Sequence, residues 1–111
     1  MNINEIGKEA DSINAANGWE TFETLDFLGG DSESLNVPKL CTHMALVHSE
    51  VSEATEAIRN RDYTNFCEEM ADVVIRVASI CHGLGIDLQT EIEIKLEKNK
   101  GRGLHHGGKA V

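Results

Sequence analysis

Leu40-Cys41-Thr42-His43-Met44-Ala45-Leu46-Val47-His48-Ser49-Glu50-Val51-Ser52-Glu53-Ala54-Thr55-Glu56-Ala57-Ile58 is a run without glycine or proline in which Leu40, Met44, Val47, Val51, Ala54 and Ile58 recur by four and three. That period is one face of an α-helix, and so long an apolar stripe has to lie against another element. Pro38 fits the first turn of such a helix, where its missing amide hydrogen costs nothing, so the helix is expected from Pro38 to about Asn60. A polar turn, Arg59-Asn60-Arg61-Asp62-Tyr63, follows, and Thr64 can cap a second long helix with the stripe Phe66, Met70, Val73, Val77, Ile80 and Leu84. Gly83 and Gly85 stop it. Two long helices joined by a short turn pack as an antiparallel hairpin.

The flanks extend this pattern. Ile3, Ile6, Ala10 and Ile13 predict a helix over Asn4–Asn17 with Gly18 at its C-terminal cap, and Asp87 is placed to cap a last helix carrying Leu88, Ile92 and Leu96 and ended by Gly101. Residues 19–37, with Gly29-Gly30-Asp31-Ser32, read as an irregular loop, and residues 103–111 as a flexible basic tail. The expected fold is all-α: one domain over 1–111, a helical hairpin core with flanking helices, four-helix-bundle-like. At 111 residues the core is small enough for oligomerisation to be expected to complete it.

The formal net charge of −9 excludes generic nucleic-acid binding, which needs a basic surface to release counterions. The charge is uneven: residues 1–94 carry five basic and eighteen acidic side chains, residues 95–111 five basic and one acidic. Apolar runs such as Val73-Val74-Ile75 are far too short to span a bilayer, and the first residues lack the basic-then-apolar layout of a signal peptide, so a soluble, cytoplasmic protein without a membrane partner is expected. Cys41, Cys67 and Cys81 form no Cys-x-x-Cys pair and read as buried, reduced thiols.

Chemistry is carried by Glu50-Val51-Ser52-Glu53 and Glu69-Met70-Ala71-Asp72. Acids at i and i+3 share a helix face and repel one another, a cost the chain accepts twice. At about 100° per residue both pairs fall on the same side of their stripes, and their heights above the connecting turn agree within a helical turn, so all four carboxylates converge on one side of the hairpin. By the same test Glu56 and Glu68 point away. Four clustered carboxylates need a cation, and hard oxygen ligands select Mg²⁺, with Mn²⁺ as a substitute. The Glu-x-x-His pattern of di-iron bundles is absent from the sequence. On the last helix Lys95 and Asn99 fall on the side of Leu88 and Ile92, with Arg102 continuing the row, positions suited to ion pairs with the acids or to phosphate. Trp19, Phe22 and Phe27 cluster in the loop, either pinning it to the core or forming a base-stacking wall.

Glu50-x-x-Glu53, Glu69-x-x-Asp72 and Lys95-x-x-x-Asn99-x-x-Arg102, in this order and at these gaps, resemble the MazG-type branch of the all-α nucleoside triphosphate pyrophosphatases. His48-Ser49-Glu50-Val51-Ser52-Glu53-Ala54 and the closing His106-Gly107-Gly108-Lys109 are similar to its small single-domain members. The resemblance implies Mg²⁺-dependent hydrolysis of a nucleoside triphosphate, NTP or dNTP, between the α and β phosphates to monophosphate and pyrophosphate, as a house-cleaning or nucleotide-pool enzyme. It also implies metal binding by Glu50, Glu53, Glu69 and Asp72, with Glu50 or Glu53 acting on the attacking water. Lys95, Asn99, Arg102 and Lys109 would hold phosphates, and Trp19 and Phe22 the base. A homodimer or homotetramer is implied as well, while Arg76, four residues after Asp72, is expected to brace that carboxylate. The competing reading is a non-catalytic helical module that binds metal or a nucleotide as a sensor or interaction partner.

Overall fold

The computed structural model describes residues 1–19 and 33–101, with the side chains of 33–36 left aside. The described residues form four helices and no strand: α1 (Ile3–Ala16), α2 (Glu33–Arg59), α3 (Tyr63–Gly83) and α4 (Leu88–Lys100). None is long and apolar enough to cross a membrane.

Local chemistry sets the ends. The Asn2 side chain accepts from the Glu5 amide at 2.9 Å while the Asn2 amide donates to Glu5 Oε1 at 3.0 Å, a reciprocal cap on α1. The chain leaves α1 through Gly18 at φ +77°, a conformation that a side chain would strain. Asp62, not Thr64, caps α3 by accepting from the Asn65 amide at 3.1 Å, so this helix starts two residues earlier than expected. Arg61 enters that turn at φ 56°. Asp87 caps α4 as expected, accepting from the Thr90 amide. The Asn4 side chain ties this cap to α1, donating to Asp87 Oδ1 at 2.8 Å and accepting from the Gln89 amide at 3.1 Å.

Pro38 does not open its helix. α2 begins at Glu33, so residues 33–37 are helical rather than loop and Pro38 lies inside. So near the N-terminus a proline removes only one intrahelical bond, a cost that the rest of a long helix absorbs. The remainder of the expected loop, including Phe22 and Phe27, and the tail with Arg102 and Lys109 lie outside the described residues.

α3 is the central element, packed against α1 on one side and α2 on another. Against α1 the approach is close: a Cβ on Gly7 would stand 2.3 Å from the Ala78 carbonyl oxygen. Against α2 the buried line is Val47, Ala54 and Ala57, with Glu50 half-buried among them, not the expected Val47, Val51, Ala54, Ile58. The helix is turned by about 60° from the expected orientation, toward its acidic side. Alanines let the two backbones approach, and the bulkier Met44, Val51 and Ile58 are left 48, 48 and 61 % exposed. Cys41 and Cys67 are likewise exposed, and only Cys81 is partly covered. Among the described residues the buried apolar set is small, consisting of Ala10, Val47, Ala54, Ala57, Ala78 and Leu84. α4 touches α1 and α3 sparsely and buries none of its residues.

Candidate active site

The rotation of α2 brings Glu50 into the α2–α3 interface, opposite Glu69. Glu50, Glu69 and Asp72 each offer a carboxylate oxygen, and these oxygens lie within 4.8 Å of one another. The fourth acid, Glu53, is exposed at the rim, one helical turn from Glu50, and is near enough to both Glu50 and Glu69 to hydrogen-bond with them. Three acids thus form the centre and one its edge, a narrower cluster than the four equal members expected. Glu56 and Glu68 are exposed elsewhere, Glu56 paired with Arg59 at 3.3 Å.

Electrostatics separate the two central acids. Glu69 is pushed up from its ordinary 4.5 to about 7 by its hydrogen bond with Glu50, by burial, and by the Glu53 carboxylate. Burial also pushes Glu50 up, but its hydrogen bonds with Glu69 and Arg76 and the Arg76 charge outweigh this and hold it below 4.5. The pair shares a proton, and the Arg76 cation beside Glu50 biases it toward Glu69. Arg76 Nε donates to Glu50 Oε1 at 3.0 Å, so the guanidinium braces the acid across the interface rather than Asp72 on its own helix. Glu69 Oε2 is buried without a hydrogen-bond partner, an orphaned acceptor in the middle of the cluster.

Beside the acids a cavity of about 760 Å³ opens over α3. Asp72 and Arg76 form part of its wall, His43 and Leu46 come from α2, Asn14, Gly18 and Trp19 from the end of α1, and Ile75, Ser79 and Ile80 from α3. A cleft of this size with one acidic side and one aromatic, polar side is of the kind that holds a small polar ligand.

The family comparison agrees with the residues. The model of the MazG nucleotide pyrophosphohydrolase domain matches residues 39–106, more than half of the chain. The chain belongs to the MazG nucleotide pyrophosphohydrolase family. No curated protein and no solved structure matches it. The MazG match spans both carboxylate pairs and Lys95, Asn99 and Arg102, but stops short of Lys109 and excludes Trp19 and Phe22.

Of the other expected site residues, Trp19 reaches the cavity, although it is 69 % exposed. Lys95 and Asn99 do not point inward; both are exposed, because α4 leans only lightly on α1 and α3. Three cavity residues escaped the sequence reading: Asn14, His43 and Ser79. Ser79 Oγ donates to Asp11 Oδ1, Asp11 Oδ2 meets His82 Nδ1 at 2.7 Å, and Asn14 Nδ2 donates to Ser79 Oγ at 3.3 Å. The only hint in the sequence was the polar Ser79 beside a buried stripe on α3.

Proposed function

We propose that this protein hydrolyses a nucleoside triphosphate, NTP or dNTP, between the α and β phosphates, releasing monophosphate and pyrophosphate and so acting on the nucleotide pool. The observation that carries this reading is the buried, unpartnered Glu69 Oε2 within a three-carboxylate cluster beside a nucleotide-sized cavity, in a chain of the MazG family. Hard oxygens with an orphaned acceptor fit a divalent cation, Mg²⁺ or Mn²⁺, held by Glu50, Glu69 and Asp72 with Glu53 beside them. Such a cation neutralises phosphate charge and makes water more acidic.

The chain's own groups divide the remaining work. Glu50 is committed to Arg76 and poorly basic, whereas Glu53 is exposed and uncommitted to any cation among the described residues, so Glu53 takes the proton of the attacking water. Arg76, at the cavity wall, holds the acidic side in register. Lys95, Asn99, Arg102 and Lys109 bind the phosphates, Lys95 and Asn99 from an exposed α4. Trp19 and Phe22 cover the base.

The same reading includes a homodimer or homotetramer. Met44, Val51 and Ile58 of α2 and Tyr63, Met70 and Val74 of α3 are exposed along the side of the hairpin opposite Glu53 and Asp72, a face that a second copy would cover. Turnover of a panel of NTPs and dNTPs with Mg²⁺, read as pyrophosphate and monophosphate, tests the activity. Formation of diphosphate and inorganic phosphate instead would contradict the bond assignment.

A further inference from the structure

The hydrogen-bonded chain Asp11–Ser79–Asn14 belongs to no part of the chemistry above, yet it ends at the cavity. Asp11 is an expensive residue to place there: its side chain is 13 % exposed, and it meets both Ser79 and His82 across the α1–α3 contact. An ionised carboxylate only accepts, so the Ser79 hydroxyl must spend its hydrogen on Asp11. The Ser79 oxygen is then left as an acceptor, and it accepts from Asn14 Nδ2. An amide that could otherwise sit in either of two flipped orientations is thereby fixed in one. The NH₂ group faces Ser79, leaving Oδ1 and the second amide hydrogen for the cavity that Asn14 lines.

We propose that Asn14 is the base-reading residue of the site, presenting a fixed acceptor and donor to the edge of a nucleobase, with Ser79 and Asp11 as the positioning residues that set its direction. The proposal rests on the nucleotide reading of the cavity. A carboxamide pairs in two-point fashion with the adjacent donor and acceptor on a base edge, and a fixed amide accepts only one order of the two. Position supports it: Ser79 lies seven residues beyond Asp72 on α3, about 10 Å along the helix, which separates the base reader from the acids by room for a sugar and a phosphate. Trp19, at the same end of the cavity, supplies an apolar face for the ring.

The test is a comparison of bases in two assays. Nucleoside monophosphates of the four bases are titrated without metal against the full chain, following the fluorescence of Trp19, the single tryptophan. The triphosphates are then compared by kcat/KM with Mg²⁺. Wild type is expected to prefer one base, and Asn14→Ala to shrink that preference about tenfold or more, the loss falling in KM. Ser79→Ala, which leaves Asn14 in place but frees its amide to turn, is expected to shrink it less. Should Asn14→Ala not fold by circular dichroism, Asn14→Gln displaces the amide by one methylene and must change the base ratio likewise. A wild type that binds all four bases alike, or variants that weaken all of them equally, would overturn the proposal. Base-selective binding that Asn14→Ala flattens, in a protein that turns over no triphosphate, would uphold it while contradicting the hydrolase reading.

Discussion

Arg76 Nε and Glu50 Oε1 meet at 3.0 Å across the α2–α3 interface, and this contact joins the fold of the hairpin to the charge state of the site. Glu50 is 14 % exposed with Glu53, Glu69 and Asp72 around it, and its hydrogen bond with Glu69 together with the Arg76 guanidinium lets it remain ionised. Replacing Arg76 with Ala is expected to cost about 1 kcal/mol in urea unfolding, at the low end for a charged hydrogen bond because the Arg76 side chain is 42 % exposed. It should also weaken metal binding, measured by calorimetry, since Glu50 would then compete with Glu69 for the shared proton.

The raised pKa of Glu69 gives a pH signature in the metal-free protein. A carboxyl at about 7 in the folded state and near 4.5 in the unfolded chain binds more protons when folded. Stability attributable to it therefore falls as pH rises from about 4.5 to about 7, and is constant outside that window. Glu50, shifted the other way, stabilises above its unfolded pKa and loses that contribution only as pH falls through its depressed folded value. The expected outcome is a Tm that drops between pH 5 and pH 7 without metal, flattened in Glu69→Gln. Added Mg²⁺, which needs the ionised form, should raise Tm more at pH 8 than at pH 6.

These acids were legible in the sequence because they are local pairs at helical spacing, and the caps at Gly18 and Asp87 were legible for the same reason. The rotation of α2 was not. A stripe weighted toward Met44, Val51 and Ile58 points at the bulkiest apolar surface, whereas Ala54 and Ala57 are what face α3, because small side chains permit the closer approach. Correcting that angle moves Glu50 from the open flank into the interface and explains both its pairing with Arg76 and the orphaned Glu69 oxygen. The Asp11–Ser79–Asn14 chain was illegible because its partners stand more than sixty residues apart and no period links them. The orientation of Lys95 and Asn99 was misread because Ile92 and Leu96, taken as anchors, are themselves exposed at 38 and 56 %.

Gly7 is expected to be intolerant of the smallest side chain. A Cβ there would stand 2.3 Å from the Ala78 carbonyl oxygen and 2.9 Å from its carbon, and backbone cannot turn aside as a side chain can. Gly7→Ala should lower stability by about 1–3 kcal/mol in denaturant unfolding, and by shifting α1 it should disturb the Ser79–Asn14 contact.

Arg61 offers the opposite case. It holds φ 56° in the hairpin turn, where a non-glycine residue costs roughly 1–2 kcal/mol. Arg61→Gly is expected to raise stability by up to about 1 kcal/mol, the gain being reduced by glycine's greater freedom in the unfolded chain. Thermal unfolding of the single variant measures it.

Glu50, Glu69 and Asp72 are proposed to hold a divalent cation, with Glu53 acting on water beside it. The most direct measurement of this is Mg²⁺-dependent release of pyrophosphate and monophosphate from a panel of NTPs and dNTPs, run in parallel on wild type, Asp72→Asn and Glu53→Gln with helicity checked by circular dichroism. Wild type is expected to turn over at least one triphosphate, and both variants to lose about a hundredfold or more with helicity unchanged. Full activity in either variant, or no turnover of any triphosphate by wild type, would contradict this assignment.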